Sequence, residues 1–105
     1  MSENHAKKPF DLVHSDLCGP MQVTSKGGSK YMLTFTDDFS RYTTVYFLKN
    51  KNETLERFKE YVNSIATQHG EQIKVIRTDN GGEYKSKKFS QFCASIGVAQ
   101  QFTTR

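Results

Sequence analysis

The sequence predicts an α/β domain in which five strands and two helices follow the order β-β-β-α-β-α-β and form one mixed sheet. Short runs rich in β-branched and aromatic residues recur between turn residues, which is typical of strands. Two longer segments carry apolar residues at helical spacing. The first of these helices is long enough to cross the sheet, so the fourth strand can lie parallel to the first and beside it.

Length and composition indicate one small folded domain. The chain has 105 residues, of which 35% are hydrophobic and 25% charged. Eight phenylalanines and five tyrosines are enough for a thin core, and the apolar residues are clustered as in a folded protein. We expect a flexible N-terminal tail over residues 1–8 and a core domain over residues 9–105 that is incomplete at its C-terminus.

Charge and targeting signals narrow the function classes. The net charge of +4 permits a polyanionic partner without requiring one. Cys18 and Cys93 lack metal-ligand spacing and are expected to be reduced thiols. The N-terminus lacks the apolar core of a signal peptide, and no run approaches the roughly 18 apolar residues of a membrane helix. We therefore predict a protein of the nucleus or cytoplasm, not secreted and not a membrane protein.

The first three strands form a predicted antiparallel meander. Residues 10–19 alternate, with Phe10, Leu12, His14 and Asp16 on one face and Val13 and Leu17 on the other, until Gly19-Pro20 stops the strand. Residues 21–29 contain a flexible turn. The second and third strands are predicted over residues 31–36 and 42–48, joined by the turn Asp-Asp-Phe-Ser.

The remaining elements alternate between helix and strand. A helix over residues 53–69 is predicted to be capped by Asn52 and stopped by Gly70. A strand follows over residues 72–78. A second helix begins at the cap Ser86 and ends at Gly97, before a last strand over residues 98–103. The buried stripes of the two helices are predicted to be Leu55, Phe58, Val62 and Ile65, and Phe89, Phe92, Cys93 and Ile96.

Two aspartates end neighbouring strands. Asp79 lies where the fourth strand gives way to a glycine loop, and Asp16 lies near the end of the first strand. The carboxyl ends of parallel strands meet at one edge of a sheet, where ligands bind. Two carboxylates a few ångströms apart repel by roughly 4 kcal/mol at an effective dielectric constant of about 20. A divalent cation such as Mg²⁺ removes that repulsion.

Each candidate also has an ordinary structural interpretation. Either aspartate alone could be a turn or capping residue. Asp37 and Asp38 are expected in the hairpin, with Arg41 as an ion-pair partner. His14 is expected to be packed or hydrogen-bonded.

The loop and the helix after Asp79 leave similar alternatives open. Glu83 could reach the metal or a DNA base, or could be solvated or cap the next helix. The basic residues Lys85, Lys87 and Lys88 open the second helix beside the acids, either as a solvated helix start or as a phosphate-binding group.

Three motifs in order carry a family resemblance. Phe-x-x-Val-His-Ser-Asp-Leu-Cys-Gly-Pro at 10–20, Asp-Asp-Phe-Ser-Arg at 37–41 and Arg-x-Asp-Asn-Gly-Gly-Glu-Tyr at 77–84 resemble the integrase catalytic core of copia-type retrotransposons. The match covers nearly all of the chain after residue 8. It implies an RNase H-like fold of the DDE type, with a five-stranded mixed sheet and flanking helices.

The resemblance also implies a chemistry and its residues. The family's first two catalytic, metal-binding acids fall on Asp16 and Asp79, and its cofactor is Mg²⁺ or Mn²⁺. The implied activity processes the ends of the element's DNA and joins them to target DNA. We predict DNA contacts through the lysines and the glycine loop, and a homo-oligomer as a further partner; the predicted DNA-binding residues are Asn80, Glu83, Lys85, Lys87 and Lys88.

The sequence departs from the family pattern at the third catalytic acid, which affects the expected activity. The family's third acid, a glutamate on a helix, would fall beyond Arg105, the last residue. The sequence is therefore interpreted as a core fragment that is inactive alone in DNA joining. Two function classes stay open: a metal-dependent polynucleotidyl transferase, and a non-catalytic remnant that at most binds nucleic acid or a protein partner.

Overall fold

The structure, a computed structural model, describes residues 6–22 and 28–103. It contains five strands and three helices in those ranges, with a 3₁₀ turn over Lys51–Glu53 before the first helix. The strands are β1 (Leu12–Cys18), β2 (Tyr31–Asp37), β3 (Thr43–Leu48), β4 (Val75–Thr78) and β5 (Ala99–Phe102), and the helices are α1 (Thr54–His69), α2 (Gly82–Lys85) and α3 (Lys87–Ser95).

All five strands form one mixed sheet in the order β3-β2-β1-β4-β5. β1, β2 and β3 pair antiparallel, as the meander predicted. β4 pairs with β1 in parallel, with Val13 opposite Ile76 and His14 opposite Arg77, and β5 adds to β4 in parallel. The predicted fold class and the parallel neighbourhood of the first and fourth strands are confirmed.

The main core lies between one face of the sheet and the helices. Val13 and Ile76 contribute to it from the central strands, and Phe58 from α1, all fully buried. From their apolar character we also expected Leu12 and Val75 to be central and buried beneath the first helix; Leu12 is buried but on the other face, and Val75 is not fully buried. Because strand residues alternate between faces, these two occupy the face opposite to that of Val13 and Ile76.

The start of α1 differs from the prediction. Asn52 is not the cap: Asn50 caps the 3₁₀ turn that leads into the α-helix, and Glu53 is the residue directly before α1. Glu53 accepts hydrogen bonds from the backbone N–H groups of Lys49 and Asn50, at 3.0 and 2.8 Å. This arrangement satisfies donors that the helix itself leaves unpaired.

The buried face of α1 is wider than the predicted stripe. Phe58 and Ile65 are buried as expected, but Leu55 and Val62 are only partly buried against the core. Tyr61, which the stripe left out, is buried and stacks on the Phe35 ring at 4.6 Å. The end at Gly70 is confirmed by its left-handed backbone (φ 63°) and its N–H bond to Ala66.

Several strands begin later in the chain than predicted. Phe10 lies before β1 with φ 67°, and its N–H donates to Asp37 at 2.9 Å, so it is buried without being part of the strand. β4 begins at Val75 rather than at residue 72. The prediction for residues 21–29 falls largely on residues 23–27, which lie outside the described ranges, as do residues 1–5 of the predicted tail.

The segment after Asp79 contains α2, a helical turn that the glycine-rich loop did not predict. Gly81 is its N-cap, and the following α3 begins after Ser86, whose Oγ accepts the Phe89 N–H at 3.1 Å. The predicted cap at Ser86 is confirmed. Within residues 6–22 and 28–103, no helix has the length and apolar character needed to cross a membrane.

The turn between β2 and β3 confirms the structural interpretation of its acids. Asp38 lies 3.7 Å from the Arg41 guanidinium and 2.8 Å from His14 Nε2. Asp37 accepts hydrogen bonds from the Phe10 N–H and from the Ser40 hydroxyl. These buried carboxylates tie the start of β1 to the hairpin.

Candidate metal and nucleic-acid site

Asp16 and Asp79 lie at the same end of two adjacent parallel strands, Asp16 within β1 and Asp79 directly after β4. His14 pairs with Arg77, and each aspartate follows its member of that pair by two residues. Neighbouring strands lie about 4.8 Å apart. Asp16 is exposed near the end of β1, and Asp79 is exposed directly after β4. The strand pairing therefore brings the two predicted acids to the same end of the sheet.

Asp79 is held by the start of α2. Its Oδ1 accepts a hydrogen bond from the Gly81 N–H at 2.8 Å. A β-carbon built on Gly81 would lie 3.0 Å from that same oxygen and would overlap Glu83 Oε2. The carboxylates of Asp79 and Glu83 therefore lie against the same side of Gly81, in space that only a glycine leaves open.

A buried phenol on α2 contacts the strand that carries Asp16. The Tyr84 hydroxyl is 2.9 Å from Ser15 Oγ, and the Tyr84 side chain is completely buried. Burial raises the pKa of Tyr84, and the carboxylates of Glu83, Asp16 and Asp79 raise it further, against a lowering by the Ser15 hydrogen bond. Three carboxylates are thus within electrostatic reach of one phenol oxygen.

The Asp16 carboxylate has a close neighbour on its own strand. The Cys18 thiol lies 3.5 Å from Asp16 Oδ2 and donates to it. Burial raises the pKa of Cys18, and the adjacent Asp16 charge and hydrogen bond add to that rise. The upward shift favours the thiol form, which donates to Asp16.

The donor set fits a hard divalent cation. Mg²⁺ typically binds one or two protein carboxylates and keeps several waters or takes phosphate oxygens. Asp16 and Asp79 supply two such carboxylates at one exposed sheet end, and the Gly81 N–H orients the second. In the part of the chain that the structure describes, no group of three or more histidine, cysteine, aspartate or glutamate side chains is placed to hold an ion together.

The predicted DNA-binding lysines divide between two places. Lys87 and Lys88 line an open groove of about 740 Å³ together with Lys51, Gly82 and Glu83. This groove runs between the start of α1 and the α2–α3 segment. Lys51 was not predicted as a site residue, because it lies far from the other lysines in sequence and only the packing of α1 brings it near them.

Lys85 occupies the other side of α2. Its Nζ lies 3.4 Å from Asn80 Oδ1 and 5.1 Å from the centre of the Phe102 ring. The Asn80 amide also donates to the Thr103 carbonyl at 3.4 Å. Lys85 and Asn80 thus form one group beside β5, while Lys87 and Lys88 belong to the groove.

Comparison with known proteins agrees with this geometry. A family model described as "Integrase core domain" matches residues 6–105. The chain belongs to the integrase core domain family. This integrase core is also 44% identical over 94 residues to the retrovirus-related Pol polyprotein from transposon TNT 1-94 of Nicotiana tabacum. The aligned segment covers 90% of this chain and 7% of that polyprotein, so the chain spans a small part of its relative's length.

Solved structures share the fold at lower identity. The HTLV-2 integrase catalytic core domain in complex with magnesium, in its dimeric form, matches this integrase core with a TM-score of 0.77 and 20% identity, over 96% of this chain and 65% of that one. The simian T-cell lymphotropic virus intasome, in complex with a PP2A regulatory subunit, matches with a TM-score of 0.75 and 19% identity, over 97% and 34%. The predicted retrotransposon integrase core and its RNase H-like fold are confirmed.

Proposed function

We propose that this integrase core supplies metal-binding and DNA-binding residues to a polynucleotidyl transferase that processes the ends of the element's DNA and joins them to target DNA. The observation that carries the proposal is the pairing of β1 with β4. It supports the proposal because Asp16 and Asp79 both lie toward the carboxyl end of this central parallel pair. The family membership supports the same conclusion, as does the related HTLV-2 core, whose structure is a complex with magnesium.

Asp16 and Asp79 are the proposed ligands of a Mg²⁺ or Mn²⁺ ion. These two carboxylates would hold the ion, which would supply activation of an attacking oxygen and stabilisation of charge on the phosphate. The chain's own contribution is to position the ligands: β1 and β4 hold the two backbones in register, and the Gly81 N–H orients Asp79. The carboxylates would otherwise repel each other, so the ion also removes an electrostatic cost.

The lysines are the proposed DNA contacts. Lys51, Lys87 and Lys88 present three positive charges along the groove that reaches Glu83, beside the metal site. Such charges bind phosphates without reading the base sequence. Lys85 and Asn80 form a second contact beside β5. The dimeric and trimeric forms of the HTLV-2 core support a homo-oligomer as the assembly in which these surfaces act.

Calorimetric titration with Mn²⁺ tests the metal site. We expect wild type to bind Mn²⁺ and Asp16→Asn and Asp79→Asn each to weaken binding strongly. Asp11→Asn is the matched control, because Asp11 precedes the opposite end of β1 and pairs with Lys74 at 3.9 Å. Equal affinity in wild type and Asp79→Asn would overturn the proposed site.

DNA binding without chemistry is the second candidate function. The lysine groove favours it, because the groove can bind phosphates without any reaction. The metal ligands favour it too: DNA joining uses two ions about 3.5–4 Å apart, and within the described ranges no group of three or more potential ligand side chains is placed to hold an ion. A strand-transfer assay with the 105-residue polypeptide, Mn²⁺ and donor DNA ends separates the two. Joining that disappears in Asp79→Asn supports the transferase, and salt-sensitive binding without joining supports the second candidate.

A further inference from the structure

We propose that Tyr84 is a positioning residue for the metal site: its hydroxyl, bonded to Ser15, fixes the spacing between the strand that carries Asp16 and the turn that holds Asp79. This inference rests on the proposed metal-binding function of the two aspartates. The carrying observation is the 2.9 Å contact between the Tyr84 hydroxyl and Ser15 Oγ, two groups that are 69 residues apart in the chain.

The two ends of this hydrogen bond belong to the two halves of the site. Ser15 immediately precedes Asp16 in β1, and its side chain is buried on the core face while Asp16 is exposed. Tyr84 belongs to α2, whose N-cap Gly81 donates to Asp79. The hydrogen bond therefore joins β1, which carries Asp16, to the β4–α2 segment, which carries Asp79. The pairing of β1 with β4 ends at His14 and Arg77, so this bond links the two segments beyond that point.

Packing alone does not explain a tyrosine at this position. The Tyr84 ring is completely buried and meets the Phe89 ring edge-on, with centres 5.6 Å apart, and a phenylalanine would make the same contact. The hydroxyl is an additional buried polar group, which is unfavourable unless it is hydrogen-bonded. Ser15 supplies that partner, so the pair fits a role in holding the site together.

The backbone of α2 transmits the position of Tyr84 to the ligands. The Gln100 amide donates to the Tyr84 carbonyl at 3.0 Å, which ties α2 to β5, and the Tyr84 N–H donates to the Gly81 carbonyl at 3.1 Å. A shift of the Tyr84 side chain would thus move Gly81, whose N–H orients Asp79. Groups that orient ligands from behind commonly change metal affinity by about 10- to 100-fold when removed.

The test measures Mn²⁺ affinity and unfolding midpoint together on wild type, Tyr84→Phe, Ser15→Ala and the double variant. We expect each single variant to weaken Mn²⁺ binding about tenfold, the lower end of that range, because neither group touches the ion. The double variant should bind no more weakly than the single variants, since both remove one bond. Tyr61→Phe is the matched control, because Tyr61 is a buried core tyrosine on α1 that lies near Asp37 and not near Asp16 or Asp79.

The outcomes separate this inference from the proposed function. A purely structural role would lower the unfolding midpoint of Tyr84→Phe while leaving the Mn²⁺ affinity of the folded protein unchanged, and that result overturns the inference alone. If Asp79→Asn also binds Mn²⁺ like wild type, the proposed metal site is overturned and this inference with it. Should Tyr84→Phe not fold, Ser15→Ala decides, because it removes the same hydrogen bond and leaves the ring in place.

Discussion

The Asp79 carboxylate accepts a hydrogen bond from the Gly81 N–H at 2.8 Å, and a β-carbon on residue 81 would lie 3.0 Å from that same oxygen and overlap the Glu83 carboxylate. Gly81 has an extended backbone (φ −60°, ψ 145°) that an alanine can also adopt. A side chain on residue 81 would therefore be opposed by contact with these two carboxylates and not by backbone strain. Its neighbour Gly82 has open space at the corresponding point.

We predict that Gly81→Ala weakens Mn²⁺ binding about tenfold, because the new methyl group displaces the carboxylates of Asp79 and Glu83. The unfolding free energy should change by less than about 1 kcal/mol, since the backbone fits alanine and Glu83 can move. Gly82→Ala is the control and should leave Mn²⁺ affinity unchanged. Titration calorimetry and urea unfolding measure both quantities, and an equal effect of the two variants on affinity would refute the steric argument.

Phe58 is predicted to be a major contributor to stability. Its side chain is fully buried and stacks on Phe89, with ring centres 5.0 Å apart. Phe58→Ala should lower the unfolding free energy by about 3–5 kcal/mol. Phe47→Ala on β3 should cost under about 1 kcal/mol, because Phe47 is 53% exposed. A loss under about 1 kcal/mol for Phe58→Ala in urea unfolding would show that this face of α1 is not core.

Asp38 is predicted to make stability depend on acid pH. Burial acts to raise its pKa, but hydrogen bonds from Ala6 and His14 and the nearby positive charges of His14 and Arg41 outweigh it and hold the pKa of Asp38 at about 2. A carboxylate whose folded pKa is depressed stabilises the fold above its unfolded pKa of about 3.9 and loses that contribution as pH falls toward the folded value.

The pH effect is measurable by urea unfolding between about pH 5 and about pH 2. Wild type should lose stability across the window from about 4 to about 2. Asp38→Asn should be less stable at the upper end of this range and should lose less stability over that window. If the two proteins show parallel pH profiles, the interactions of Asp38 do not contribute as described.

The lysine groove is predicted to bind DNA through phosphates. The double variant Lys87→Ala/Lys88→Ala should weaken binding to DNA of any sequence and reduce the slope of log K against log salt by about 1 for each phosphate that is no longer neutralised. Lys74→Ala is the control, because Lys74 immediately precedes β4 at the opposite end of the sheet and pairs with Asp11. Fluorescence anisotropy at several salt concentrations gives the slopes, and an unchanged slope in the double variant would exclude the groove.

The sequence predicted the fold well because its periodicity and turn residues agree with the final packing. The parallel neighbourhood of β1 and β4 followed from one crossover helix, and the caps at Gly70 and Ser86 were correct because their local geometry is determined by nearby residues. Asn50 replaced Asn52 as a cap because a 3₁₀ turn precedes α1, and no residue pattern distinguished that turn from the helix itself.

The sequence predicted that Asp16 and Asp79 would lie at the same end of the sheet, but not the contacts around them. The parallel pairing of the first and fourth strands was enough to bring both aspartates to that end. The helical turn α2 was not predicted because two adjacent glycines are typical of a loop. The contacts made by Gly81 and Tyr84 were therefore not predicted either. Lys51 was missed because its proximity to Lys87 depends on tertiary packing.

The most direct test of a shared metal site at Asp16 and Asp79 is paramagnetic broadening by Mn²⁺ in amide nitrogen–proton NMR spectra. We expect substoichiometric Mn²⁺ to remove first the signals of residues 15–17 and 79–83, and Asp79→Asn to abolish this pattern at the same Mn²⁺ concentration. Broadening centred on the acidic residues of α1, or on only one of the two aspartates, would contradict the account.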